Sequence, residues 1–106
     1  MIRVSVLYPQ KQGARFDWSY YLGTHMPMVG RKFRTAAKET SIEQGIGGAA
    51  PGMPAPYVAI AHFIFDSAEG FQAAFASLAQ EIVTDILNDT SIEPVIQMSE
   101  IRTQKT

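Results

Sequence analysis

Residues 2–8, IRVSVLY, alternate in character: Ile2, Val4, Val6 and Tyr8 fall on one side, Arg3, Ser5 and Leu7 on the other. A period of two predicts a strand. PQKQGAR reads as a loop by its Pro, Gly and polar content. From Asp17 the period lengthens. Asp17 is a good helix N-cap, with Phe16 before it and Tyr21 at the staple position. Trp18, Tyr21, Leu22, Val29, Phe33, Ala36 and Ala37 then recur at helical spacing, opposite Arg31, Lys32, Arg34 and Lys38. Gly23 and Pro27 interrupt the run, which predicts one kinked helix or two joined pieces. Residues 39–47 give a weak second strand. The stretch 45–56 holds four Gly and three Pro and reads as a mobile loop. Residues 57–65, YVAIAHFIF, form the strongest strand signal in the chain. Ser67 caps a second helix with Glu69 in its first turn, and Phe71, Phe75, Leu78, Ile82 and Ile86 carry it to NDTS at 88–91. A last strand spans 92–101, where Pro94 favours an edge or early position.

The predicted order is β-α-β-β-α-β, an α+β fold in which two helices cover one face of a four-stranded sheet. The strand 57–65 constrains what covers the other face. Val58, Ile60, His62 and Ile64 share one face, and Ala59, Ala61, Phe63 and Phe65 share the other. Both are apolar, and there is no third helix. The same sheet from a second copy would close the exposed face, so a homodimer is expected through Val58, Ile60, His62 and Ile64. On the helix side Ala59 and Ala61 leave volume. Either large helix side chains fill it or it remains as a pocket.

Composition narrows the function classes. At 106 residues the chain is expected to be one domain, 1–106. Hydrophobic residues are 46% and charged residues 18%, a globular balance, and the net charge of -1 offers no field for nucleic acid or an anionic membrane. The absence of cysteine removes thiolate catalysis and disulfides and suits a reducing cytosol; no targeting segment is visible, so a cytoplasmic location is the default.

The candidate chemistry lies on the first helix. Trp18, Tyr21 or Leu22, and His25 follow one stripe, and Tyr21 and His25 are an i, i+4 pair. His25 sits at the break that Pro27 imposes. It is either an acid, base or hydrogen-bond donor, or a cap on the backbone freed at the kink. Tyr20 or Tyr21 would polarise a carbonyl or orient a phenolic ligand. His62, mid-strand among isoleucines, is a structural histidine, a catalytic one, or a source of pH dependence at the interface. Asp85 is either a solvated helix-end residue or a carboxylate aimed at the pocket. Tyr57 starts its strand at the loop, either lining a pocket mouth or serving as an ordinary strand residue. With two histidines and no HxH or HExxH spacing, no metal site is expected, and no phosphate-loop or flavin fingerprint is present.

Taken together, FDWSYYLGTHMPMV (16–29), PYVAIAHFIFDS (56–67) and DILNDTSIEPVIQMSEI (85–101) resemble the EthD family over nearly the whole chain. The most specific element is His25 to Pro27 after the tyrosine pair. The resemblance implies a ferredoxin-like dimeric α-β barrel. The family takes its name from a protein associated with a cytochrome P450 system that degrades fuel ethers, and similar proteins are often labelled reductases. The wider superfamily includes heme-handling proteins, cofactor-free monooxygenases, and cyclases of aromatic polyketides that use His and Tyr between sheet and helices. By that resemblance His25 and Tyr21 fit the catalytic positions; from the reading of the residues themselves, Trp18, Tyr20, Tyr57, Ala59, Ala61, Phe63 and Asp85 are the candidates for the ligand pocket. The expected function is a pocket for a hydrophobic or aromatic catabolite without a cofactor. Alternatives are a non-enzymatic accessory protein for an oxygenase system, or a heme-binding relative with His25 as axial ligand.

Overall fold

Strand β1 (Ile2–Pro9) lies at the centre of the sheet because its alternation serves two faces at once. In the computed structural model, which describes residues 1–105, it pairs antiparallel with β3 (Tyr57–Phe65) on one side and β4 (Val95–Glu100) on the other. Strand β2 (Glu39–Gln44) pairs antiparallel with β3 and completes the order β2-β3-β1-β4. Helices lie on one face. This is the expected ferredoxin-like α+β arrangement.

Register fixes which residues face the helices. Val4 pairs with Phe63, Val6 with Ala61 and Tyr8 with Ala59, so their side chains share a face and are covered. On the opposite face Arg3 pairs with Ile64, Ser5 with His62 and Leu7 with Ile60. Val58, Ile60 and His62 are half-buried there, and Ile64 is buried. On that open face the apolar Leu7, Ile60, Ile64 and Val95 interleave with the polar Arg3, Ser5, His62 and Glu43, the last opposite Ile60. Ser5 Oγ lies 2.8 Å from His62 Nδ1, and His62 Nε2 lies 3.5 Å from Glu43.

The first helical run has the Asp17 cap, whose carboxylate accepts from the Tyr20 N–H at 3.1 Å. Phe16 meets Tyr21 as the staple requires, with ring centroids 5.1 Å apart. The run contains α1 (Trp18–Tyr20), a π-helical segment Tyr21–His25, and α2 (Met26–Phe33), with a 3-10 turn at Arg34–Ala36. The expected kink is thus a widened turn. Pro27 has no N–H to give the preceding carbonyls, and the Met26 N–H reaches back to the Tyr21 carbonyl.

The second helix departs from the expectation of one continuous run. It breaks at Ser77 and Leu78 into α3 (Ala68–Ala76) and α4 (Ala79–Asp89). Its two halves have different tasks. Phe71 and Phe75 stack with centroids 5.3 Å apart and pack towards Phe65 and Phe33. Ile82 and Ile86 turn their buried side towards the first helical run. Strand β4 starts at Val95, directly after Pro94, and is an edge strand. Its helix-side residues Ile96 and Met98 are about half exposed, so α4 does not cover them. Among the described residues no helix is long and apolar enough to cross a membrane.

Candidate functional site

The π-helical segment buries two side chains, Tyr21 and His25. Their rings stack with centroids 5.6 Å apart and 19° between planes. Tyr21 is held by edge contacts from Tyr8 and Trp18 and a tilted contact from Phe16. π-helical turns recur at functional sites because they move a side chain off the ordinary helical register. Here the turn presents His25 to α4.

On α4, Asp85 receives it. His25 Nδ1 donates to Asp85 Oδ2 at 2.9 Å. The other carboxylate oxygen accepts from the Tyr20 hydroxyl at 2.6 Å and from Asn88 Nδ2 at 3.0 Å. Asp85 is therefore clamped by three donors. Burial alone would raise its carboxyl, but the hydrogen bonds from Tyr20, Asn88 and His25 hold it below the ordinary carboxylate value. The same contact raises the Tyr20 phenol. With Nδ1 engaged, Nε2 is the nitrogen of His25 left for a ligand.

His25 also lines a cavity between helices and sheet, of about 40 Å³. Its wall is almost wholly apolar, with Ala61, Phe63, Val29 and Ile86 in it, and Tyr8, Tyr21 and His25 are the lining residues that carry a polar atom. Val83 and Ile96, both about half exposed, lie at its mouth between α4 and β4. Burial and the nearby Asp89 carboxylate push the Tyr8 and Tyr21 phenols above their ordinary range, so both keep their protons and can donate.

Of the residues singled out in the sequence, the structure brings Tyr21, His25, Ala61 and Phe63 to this cavity. Asp85 lies behind His25, in a surface groove with Thr24, Met28 and Asn88. Tyr20 reaches the site through Asp85. Trp18 acts from behind, on the Tyr21 ring. Tyr57 and Ala59 do not line the cavity. Val58, Ile60, His62 and Ile64 lie on the opposite face of the sheet.

Two participants were not anticipated, Tyr8 and Asp89. Tyr8 had its strand parity as a signal, since it closes the buried face of β1. Asp89 had a helical one. It follows Asp85 by four, so two acids stack on one face of α4, where like charges repel. Asp89 is fully buried (0% exposed), neither carboxylate oxygen has a hydrogen-bond partner, and Oδ1 lies 3.9 Å from His25 Nδ1. Burial raises its carboxyl to about 6. One nitrogen of His25 and one oxygen each of Asp85 and Asp89 lie within 4.8 Å of one another.

The family model described as EthD domain matches residues 10–88. An EthD-like protein of Ralstonia eutropha JMP134 is 45% identical over 99% of this chain and 95% of that one, with a TM-score of 0.92. An ethyl tert-butyl ether D (EthD) family protein of Bacillus halodurans C-125 is 17% identical over 94% and 97% of the chains, with a TM-score of 0.65. A protein of Arabidopsis thaliana is 13% identical over the full length of both, with a TM-score of 0.69. The last two show the fold alone. No protein of curated function matches the chain.

Proposed function

The chain belongs to the EthD family, and from that premise we propose that it binds a narrow hydrophobic or aromatic molecule bearing an oxygen function, in a catabolic setting. One observation carries this reading. A buried histidine, oriented through Nδ1 by a clamped carboxylate, lines an otherwise apolar cavity beside two protonated phenols. Such a site recognises a carbonyl or hydroxyl at the inner end of an apolar body. With its Nδ1 proton held by Asp85, His25 accepts a hydroxyl proton at Nε2 or, when protonated there as well, donates to a carbonyl; Tyr21 and Tyr8 steady the oxygen, and Asp85 keeps the imidazole in one orientation.

The cavity of about 40 Å³ holds a few atoms, well below the ~300 Å³ of ordinary ligand sites. Binding a larger molecule requires the side chains at the mouth, Val83 and Ile96, to move aside. A porphyrin does not fit a space of that size.

The test uses methyl spectra of isotope-labelled protein titrated with hydrophobic ketones, phenols and quinones, each beside its deoxygenated analogue. We expect Ala61 and Ile86 to shift. His25→Gln and Tyr21→Phe should each weaken the oxygenated ligand about tenfold, for the loss of one buried hydrogen bond of about 1.4 kcal/mol, and leave the analogue unchanged. Shifts confined to the outer groove, or equal losses for both compounds, overturn the reading. Conversion that disappears in His25→Gln assigns catalysis. Tight binding with the compound recovered intact assigns an accessory role.

The open sheet face is proposed to pack on a second copy. Leu7, Ile60 and Val95 offer the apolar contact, and the buried, unpartnered Nε of Arg3 on the same face awaits an acceptor.

A further inference from the structure

We propose that His25, Asp85 and Asp89 form a binding site for a divalent transition-metal ion. Asp89 is fully buried and neither of its oxygens has a partner. An unpaired carboxylate in such a place is costly, and a second acid one helical turn away adds to the cost. The neighbouring cation relieves it only through space, with no hydrogen bond. Arg15 donates its guanidinium to the backbone carbonyls of Leu87 and Asn88 at 3.1 and 3.2 Å, capping the end of α4 instead. His25 directs its nitrogen to Asp85 at 2.9 Å and leaves Asp89 Oδ1 at 3.9 Å, too far for a hydrogen bond.

The spacing suits an ion. Ligand atoms held about 2.1 Å from one metal lie roughly 3.0 to 3.4 Å apart. The two distances from His25 Nδ1, 2.9 and 3.9 Å, bracket that range. Across all three residues the ligand atoms lie within 4.8 Å of one another, so the carboxylates have to swing inward by roughly an ångström or more to share one ion. The support expected behind a ligand is also in place: Tyr20 and Asn88 hold Asp85 Oδ1 and leave Oδ2 for the centre. Asp85 opens onto the surface groove, which supplies a route and room for water in the remaining positions. One imidazole and two carboxylates favour Zn²⁺ or Mn²⁺ over Mg²⁺ and Ca²⁺, which prefer all-oxygen sites. The ligands come from two elements sixty residues apart, so no linear metal motif marks them.

The inference goes beyond the ligand reading and does not need it. With an ion on Nδ1, Nε2 carries the ring proton and His25 presents a donor to the cavity.

The experiment takes untagged, chelator-treated, dialysed protein and titrates it with ZnCl₂, MnCl₂, MgCl₂ and CaCl₂ by calorimetry and thermal shift, with no organic ligand present. We expect one Zn²⁺ per chain at micromolar affinity, reversed by chelator, Mn²⁺ weaker, and Mg²⁺ and Ca²⁺ at least a hundredfold weaker. Asp89→Asn should weaken Zn²⁺ at least tenfold while the apo variant stays folded, and His25→Gln should do the same. No saturable Zn²⁺ binding by folded wild type, Zn²⁺ binding unchanged in Asp89→Asn, or Mg²⁺ binding as tight as Zn²⁺ overturns the proposal. Each of these outcomes leaves the methyl-shift test of the cavity standing, so the two readings fail separately.

Discussion

Asp89 shows how one side chain can work against the fold that holds it. Its carboxylate has lost water and gained no donor. In metal-free buffer, Asp89→Asn should therefore stabilise the protein by about 1–3 kcal/mol, read as a rise of several degrees in melting temperature. The sign with pH follows from the raised carboxyl. Between its ordinary 3.8 and about 6, the native protein holds a proton that the unfolded chain has released. Wild-type stability thus falls as pH rises through that window, and the gain from Asp89→Asn is fullest above it and vanishes below it. A gain that is flat with pH would contradict this account. His25 could be singled out from the sequence because Pro27 advertises a break beside it. Its partner could not be chosen, since Asp85 differs from other helix-end acids only through contacts made across 60 residues.

Among elements, those with strong local patterns were the legible ones. β1 and β3 follow from alternation, and the Asp17 and Ser67 caps follow from side chains that bond backbone N–H groups three residues on. Two features escaped. The break at Ser77 carries no Gly or Pro; it reflects what α3 and α4 each pack against. The π-helical turn looks in sequence like any proline-interrupted helix, because the choice between a kink and a wider turn is made by tertiary contacts at Tyr21 and His25. The glycines allow a test at this scale. Gly30 in α2 has open space where a Cβ would go, so Gly30→Ala should stabilise by about 0.5–1 kcal/mol. Gly45 closes the β2–β3 connection, and a Cβ there would lie 2.0 Å from the Tyr57 carbonyl oxygen. Gly45→Ala should cost about 1–3 kcal/mol in chemical denaturation. Equal effects at the two sites would refute the argument from space.

At the scale of the molecule, the open sheet face is where the proposed second copy would pack. Parity in β3 exposed the problem from sequence, but not the polar residues interleaved on the face, which are Arg3, Ser5 and Glu43 from neighbouring strands. Sedimentation equilibrium at micromolar concentration should give a dimer. Ile60→Glu should give a folded monomer with unchanged far-ultraviolet dichroism. A monomeric wild type would remove the dimer.

The small cavity behind His25 has a mechanical side as well. Hydrostatic pressure favours whichever state occupies less volume, and an unfilled void disappears on unfolding. The cavity of about 40 Å³ behind His25 is such a space, and the volume change of unfolding scales with the internal space that is lost. The protein should thus be softer under compression than its thermal stability suggests, and any molecule that seats in the void should harden it. Compression then becomes a gauge of occupancy that works before the occupant has been identified.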